Sequence, residues 1–311
     1  MFNEVETARA FYDRLSAALD GLEWEFIAVD DGSTDGTTEL LRELSADDQR
    51  VRVIRLSRNF GHQAALTAGL DHAGGDVVVM IDADLQDPPE EIPRLLDEWR
   101  RGADVVHAVR ASREGEPRWR LVLIHAFYRL FGRIARIEAA GNSGDFRLLD
   151  SRALTVLTDL RERNRFLRGM SVWIGFEQAV VHYDRDPRYA GATKYSLARL
   201  VELGFDAIIS FSYVPLRLAA VVGTLVSVVA LLGIPVVIAL RLAGEYVPGI
   251  ASVTIVLLLL GGIQLLTLGI VGEYLGRSYD EVKRRPIYVV QETVNLGAGR
   301  DRSALERIGT P

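Results

Sequence analysis

The chain has 311 residues, 49% of them apolar, a formal net charge of −6 and no cysteine. The acidic balance argues against nucleic acid as the main partner, because phosphate-backbone binding needs a basic surface that releases counterions. The absent cysteine excludes disulfide frameworks and thiolate sites, and the length allows one large domain or two smaller ones.

The first twenty residues are charged and amphipathic, without the apolar run of a signal peptide, so the N-terminal part is expected to stay in the cytosol. Residues 4–19 read as a helix with Val5, Ala8, Tyr12, Leu15 and Leu19 on one face. A short apolar strand over 24–29 runs into Asp30, Asp31, Gly32, Ser33, Thr34, Asp35, Gly36 and Thr37, where glycines permit positive φ and Ser, Thr and Asp can cap a helix starting near Thr37. A strand over 51–56, a helix opening at 59–62 and a β-branched strand over 76–81 follow, the last ending in Asp82, Ala83 and Asp84. Pro88, Pro89 and Glu90 restart a helix through Arg100, and 104–109 makes a further strand. Alternation at this spacing predicts a mostly parallel, Rossmann-like sheet flanked by helices, with its ligand crevice at the carboxyl ends of the strands. Both acidic clusters fall at such ends.

Residues 114–136 are basic and helical in pattern, with Trp119, Phe127, Tyr128 and Phe131 among arginines, which suits either an interfacial helix or a core helix with a basic outer face. The stretch 216–271 carries only Arg217, Arg241 and Glu245 as charges. Within it 216–240 and 250–271 can each cross about 30 Å of hydrocarbon at about 1.5 Å per residue. A loop of about nine residues joins them into a hairpin, with Pro235 placed to kink the first span. Positive charge at Arg188, Lys194, Arg199 and Arg217 before the hairpin, and at Arg277, Lys283, Arg284 and Arg285 after it, places both flanks in the cytosol.

Asp82 and Asp84, one residue apart on a turning chain and followed by Gln86 and Asp87, can converge on a hard divalent cation such as Mg²⁺ or Mn²⁺, which in turn neutralises a diphosphate. The competing reading is a common loop tripeptide. Asp30 and Asp31 at the first strand end can accept hydrogen bonds from a base or ribose, or simply build a helix-capping turn, the role expected of Asp35. His62 and Gln63, beside Gly61, either approach a donor molecule or cap and pack. The other histidines, His72, His107, His125 and His182, have no metal-ligand spacing.

Phe2-Asn3-Glu4, residues 29–37, Arg58-Asn59-Phe60-Gly61, Asp82-Ala83-Asp84-Leu85-Gln86-Asp87-Pro88 and Ser143-Gly144-Asp145-Phe146-Arg147-Leu148 occur in that order. Together they resemble the family-2 glycosyltransferases of the dolichol-phosphate mannose synthase type, especially the bacterial two-span branch that makes polyprenyl-phosphate glucose, over roughly residues 2–292. The resemblance implies a GT-A-like fold and inverting transfer of one sugar, glucose on a uridine carrier, from a nucleotide-diphosphate sugar to polyprenyl phosphate. It places Asn3, Glu4, Asp30, Asp31, Asp82 and Arg113 on the nucleotide-sugar side and makes Asp82, Asp84 and Gln86 the ligands of Mg²⁺ or Mn²⁺. Asp145 becomes the base or acceptor-orienting residue, and Arg110, Arg113 and Lys194 the cations for the acceptor phosphate.

The organisation so implied is a cytosolic catalytic domain over 1–195, a juxtamembrane amphipathic helix over 196–215 and spans over 216–240 and 250–271. A cytosolic helix and strand over 272–295 pack back on the catalytic domain, and 296–311 is a flexible tail. The location is the cytoplasmic membrane, and a homo-oligomer is compatible with so short a hairpin. One departure stands out. The family begins with an apolar strand running into the Asn-Glu pair, whereas this sequence opens at Met1-Phe2-Asn3-Glu4, so the expectation is an internal methionine with a short apolar strand encoded upstream. Competing readings are a family-2 transferase with another membrane glycolipid or polysaccharide as acceptor, and a non-catalytic scaffold or transporter subunit that kept the fold.

Overall fold

The computed structural model describes residues 1–110, 143–184, 214–243 and 249–296. The chain divides into two compact units, one of Met1–Ser196 with Pro286–Pro311 and one of Leu197–Arg285.

In the first unit, helix α1 (Val5–Ala18) buries Ala8, Phe11 and Leu15 at i, i+3 and i+7 spacing. Strand β1 (Phe26–Asp30) leads through α2 (Thr37–Asp47) to β2 (Val51–Leu56), its parallel neighbour. Helix α3 (His62–His72) packs closely because its inner face is small: Ala64, Ala65 and Ala68 are buried, and a Cβ on Gly69 would lie 3.4 Å from Val29 Cγ2. Then come β3 (Val77–Met80), a 3₁₀ turn (Pro89–Glu91), α4 (Ile92–Arg100) and β4 (Val105–Arg110). After the undescribed stretch, β5 (Ser143–Asp150), α5 (Ser151–Asp159), α6 (Leu167–Trp173) and β6 (Gln178–Tyr183) complete this part.

The strands form two mixed sheets among the described residues. One has the order β1-β2-β7, where β7 is Val290–Val294, and the other β3-β5-β4-β6. Only β1–β2 and β4–β6 pair in parallel, while β2–β7, β3–β5 and β4–β5 are antiparallel. The mostly parallel sheet expected from the βα alternation is therefore corrected. Strands β5 and β7 do not follow the crossover helices from which that alternation was inferred, and each inserts against the strand direction. Beside β1, the Met1 terminal ammonium donates to Val29 O at 2.7 Å and Asp31 N donates to Met1 O at 2.9 Å, the flanking pair of bonds that a parallel neighbour makes.

The period-2 alternation of β5 divides its residues between two tasks. Phe146 and Leu148 enter the core formed with Phe11, Leu15, Leu85, Leu95 and Tyr183, and Phe146 meets Tyr183 edge to face at 5.7 Å. Asp145 and Arg147 project from the opposite face. Strand β7 pairs with β2, and the residues in and around it are tied to the flanking helices: Arg42 Nη2 of α2 donates to Glu292 Oε2 at 2.5 Å, Asn295 Nδ2 to Ser45 O of α2 at 2.7 Å, and Tyr288 OH to Asp71 Oδ2 of α3 at 2.8 Å.

The described residues of the second unit form α7 (Val214–Leu242) and α8 (Ile250–Val282). Pro215–Leu240 and Leu259–Val282 are long and apolar enough to cross a membrane. Leu218, Val221, Leu225, Leu232, Leu257 and Leu265 all project outward. Helix α8 runs unbroken to Val282, its charged last turns held by Glu273–Arg277 at 3.0 Å and Asp280–Lys283 at 3.6 Å.

Gly32, at φ +72°, is where the β1–α2 and β2–α3 loops touch: a Cβ there would stand 2.7 Å from Arg58 C and 2.8 Å from Asn59 N. Gly32→Ala should cost about 2 kcal/mol or more, from the left-handed backbone plus a clash with main chain that cannot rotate away. Thermal unfolding of the purified protein should fall by about 4 to 8 °C on this scale, and an unchanged midpoint would show that the loops do not meet there.

Candidate active site

Two loops at the strand ends are built around carboxylates. Asp30 is fully buried, with Oδ1 accepting from Ser33 N at 2.9 Å and Oδ2 from the Thr38 hydroxyl. Asp31 Oδ1 accepts from Phe60 N at 2.7 Å and Oδ2 from Gly61 N at 2.9 Å, which ties the two loops together. Asn3 closes the same turn, its Oδ1 accepting from Thr34 N at 2.9 Å and its N–H donating to Ser33 Oγ at 3.0 Å. Glu4 leads into α1, donating from its N–H to Thr37 Oγ1 at 2.9 Å and accepting from the Thr7 hydroxyl at 2.7 Å. Asp35, just before the Gly36 that opens α2, accepts from Thr37 N at 3.0 Å.

The second loop, 82–87, leaves β3 at its carboxyl end. Asp84 Oδ1 accepts from Gln86 N at 3.1 Å, an Asx turn, and Leu85 takes φ +59° with its side chain buried. A left-handed leucine costs on the order of 1–2 kcal/mol and persists only where its surroundings over-determine it. They do so from both sides: Leu85 is anchored in the core, and Asp87, 1% exposed, accepts from the Tyr183 hydroxyl at 2.5 Å with Arg110 Nη2 3.6 Å away. Burial, then Asp87, pushes the Tyr183 phenol above its ordinary range.

The third part is a chain of ion pairs. Asp145, 1% exposed on β5, is gripped by Arg168 of α6 through Nε to Oδ1 at 2.9 Å and Nη2 to Oδ2 at 2.8 Å. His62 Nε2, at the start of α3, lies 2.9 Å from Asp145 Oδ2 and 3.6 Å from Asp82 Oδ1. Burial alone would raise the Asp145 carboxyl, but Arg168, then His62 and Arg147, outweigh it and hold that group well below the usual carboxylate range. His62 is pushed up, first by its hydrogen bond to Asp145 against opposing burial, and further by Asp82. Asp82 behaves oppositely: burial pushes it up to about 6, eased by His62 and reinforced by Asp145, Asp87 and Asp84. Behind this chain the buried Arg147 donates to Gly144 O at 2.7 Å and to the Ser171 hydroxyl, locking β5 to α6. Burial lowers its guanidinium to about 10.

Among the described residues no three His, Asp or Glu side chains form a cage that would hold a metal by themselves. The donor set of the 82–87 loop nevertheless fits a hard cation. The carboxylates of Asp82 and Asp84 stand at the strand end, Asp82 is held by burial and by three neighbouring carboxylates where added positive charge stabilises it, and Gln86 Oε1 is buried without a partner. Mg²⁺ needs only one or two protein carboxylates when phosphate oxygens and water complete its shell.

The structure thus brings Asp82, Asp84, Gln86 and Asp145 to one edge. It puts Asn3, Glu4, Asp30 and Asp31 into loop construction beside them and turns Arg110 onto Asp87 and Tyr183. Arg113 and Lys194 lie outside the described residues. Sequence reasoning did not single out Arg168 or Tyr183, and it left His62 undecided. The available signal for Arg168 was the density of arginine at 161, 163, 165 and 168, running into the start of an apolar helix.

These loops and buried carboxylates, gathered at the strand ends, define the candidate site. The Glycosyl transferase family 2 model matches residues 1–157. The chain belongs to that family and is a glycosyltransferase of GT-A-like fold. It is 43% identical over 299 residues to the protein named uncharacterized glycosyltransferase YkcC of Bacillus subtilis strain 168, covering 95% of this chain and 93% of that one. The SfII prophage-derived bactoprenol glucosyl transferase of Shigella flexneri is 39% identical over 296 residues, covering 94% and 96%. Among solved structures, a mannosyltransferase from Pyrobaculum calidifontis in complex with GDP-Man and Mn²⁺ aligns with a TM-score of 0.43 and 16% identity, over 88% of this chain and 85% of that one.

Arg168→Lys keeps the charge but cannot keep the two-pronged grip on Asp145. Glycosyl transfer by the variant should fall at least about tenfold, on the scale of losing a charge-assisted hydrogen bond at a preorganised site. Activity within twofold of wild type would separate this ion pair from catalysis.

Proposed function

We propose that this glycosyltransferase moves a single glucose from a uridine-diphosphate carrier to polyprenyl phosphate, with inversion, at the cytosolic face of the membrane. The observation that carries this reading is 39% identity to a bactoprenol glucosyl transferase over 94% of the chain, a span that includes the two apolar helices as well as the sheets. Those helices are long and apolar enough to cross a membrane, and their outward leucines and valines suit lipid rather than water. A soluble chain rarely leaves so large an apolar surface uncovered. Basic residues on both sides of the hairpin favour cytosolic flanks.

In this reading Asp82, Asp84 and Gln86 would hold Mg²⁺ or Mn²⁺, which supplies Lewis-acid stabilisation of the departing nucleotide diphosphate. Asp30, Asp31, Asn3 and Glu4 act by holding the loops that wall the nucleoside side, since the oxygens of both aspartates are already occupied by loop donors. In a single displacement a lipid phosphate oxygen bonds to the anomeric carbon as the bond to the diphosphate oxygen breaks, which inverts that carbon. A phosphate is largely ionised at neutral pH, so the step asks for positioning and charge complementarity more than for proton removal. Asp145 is suited to that work as an orienting group: Arg168 and His62 hold it ionised and fixed, so it serves less well as a base. Arg113 and Lys194 are assigned to the acceptor phosphate on the family resemblance alone.

Full-length protein in detergent, incubated with polyprenyl phosphate, Mn²⁺ and a panel of labelled nucleotide sugars, should carry label into the organic phase from UDP-glucose. Chelation should abolish transfer, Mn²⁺ or Mg²⁺ should restore it, and Asp84→Ala should lower it by about a hundredfold or more, as expected when a ligand to a catalytic cation is lost. Folded, nucleotide-binding protein that labels no lipid from any donor would overturn the acceptor assignment.

A further inference from the structure

The far end of the 82–87 loop is held by two residues that end neighbouring strands. Arg110 ends β4, Tyr183 ends β6, and the two are register partners in that parallel pair. The Tyr183 hydroxyl donates to Asp87 Oδ1 at 2.5 Å, Arg110 Nη2 lies 3.6 Å from the same oxygen, and Arg110 Nε lies 3.4 Å from the Tyr183 hydroxyl oxygen. Asp87 is 1% exposed, so it is itself removed from ligands in solvent. Two residues before it, Leu85 holds a left-handed backbone with a buried side chain, and beyond Leu85 stands Asp84. With Leu85 pinned in the core and Asp87 pinned by the strand ends, the chain between them has one path, and that path sets where the Asp84 carboxylate points.

We propose that Tyr183, assisted by Arg110, is a positioning residue for the cation-binding loop: by fixing Asp87 it aims Asp84, and with it Gln86, at the divalent cation. This rests on reading Asp82, Asp84 and Gln86 as the cation's ligands. It also gives Arg110 a task different from holding the acceptor phosphate. A residue one step removed from the ligands typically changes metal affinity by about 10- to 100-fold when its hydrogen bond is deleted. Tyr183→Phe deletes only the hydroxyl and keeps the ring that packs edge to face on Phe146, so it isolates the hydrogen bond from the packing.

The test is Mn²⁺ titration by electron paramagnetic resonance on full-length, detergent-purified protein in the presence of UDP, paired with steady-state kinetics. Tyr183→Phe should weaken Mn²⁺ binding by about tenfold and raise the Mn²⁺ activation constant in parallel, while the KM for polyprenyl phosphate stays within about twofold, since the acceptor is not touched. Arg110→Gln, which keeps a polar side chain, should move Mn²⁺ binding in the same direction by about threefold and carries the test if the tyrosine variant does not fold. Unchanged Mn²⁺ affinity in Tyr183→Phe overturns the proposal. So does an Arg110→Gln variant that changes only the KM for the lipid phosphate, which would make Arg110 an acceptor contact. Wild-type protein that binds no Mn²⁺ beside UDP would instead bring down the underlying reading of the carboxylates.

Discussion

Withdrawing a carboxylate from water costs several kcal/mol unless its oxygens find donors, and the site buries Asp30, Asp31, Asp87 and Asp145. Each is answered by a different part of the chain. The turn after β1 supplies Ser33 N–H and the Thr38 hydroxyl to Asp30, and the β2–α3 loop supplies two backbone N–H groups to Asp31. Strand β6 supplies Tyr183 to Asp87, and α6 supplies Arg168 to Asp145. The loops of the active edge are therefore fixed by the same bonds that make the buried charge tolerable. Asp82 has no such donor, and its positive neighbour is His62, with Nε2 3.6 Å from Asp82 Oδ1.

Much of this was legible in the sequence because it is local. The β-branched run before Asp82 ends as β3 at Met80, the strand at 51–56 has those limits, and the turn chemistry of 30–37 leads into a helix at Thr37. Asp84, with its Asx turn onto Gln86, sits where a loop able to meet a cation was expected. The sheet directions were not legible. Strand order and polarity depend on which segments meet, and β5 and β7 come from a motif and a tail whose periodicity says nothing about partners. Beyond the apolar stretch, i,i+4 pairs such as Glu273–Arg277 carry α8 on to Val282.

The site shows the same division. A single carboxylate at a strand end can be a ligand, a cap or a loop strut, and sequence cannot distinguish them because the difference lies in whether its lone pairs are already taken. Asp30 and Asp31 have theirs filled by neighbours up to thirty residues away. Arg168 and Tyr183 are 23 and 96 residues from the aspartates they hold. Pairing over such distances leaves no mark in spacing, and in a single sequence both residues read as ordinary members of a basic loop and an apolar strand.

One long-range tie connects the tail to the site. Tyr288, in the segment that returns to the sheets after α8, donates to Asp71 near the end of α3, and Arg161 Nη1 bridges to the same carboxylate at 2.8 Å. The first residue of α3 is His62, bonded to Asp145. A helix of eleven residues is rigid on the scale of these bonds, so its C-terminal end is set by the tail and its N-terminal end by the buried ion pair. β7 then locks the same tail along β2, whose following loop supplies the N–H groups that hold Asp31. The residues after the apolar hairpin thus complete the sheet unit from both sides of α3. The geometry around Asp82 is a property of the two sequence-distant parts together, because neither the ion pair alone nor the tail alone fixes the helix that carries His62.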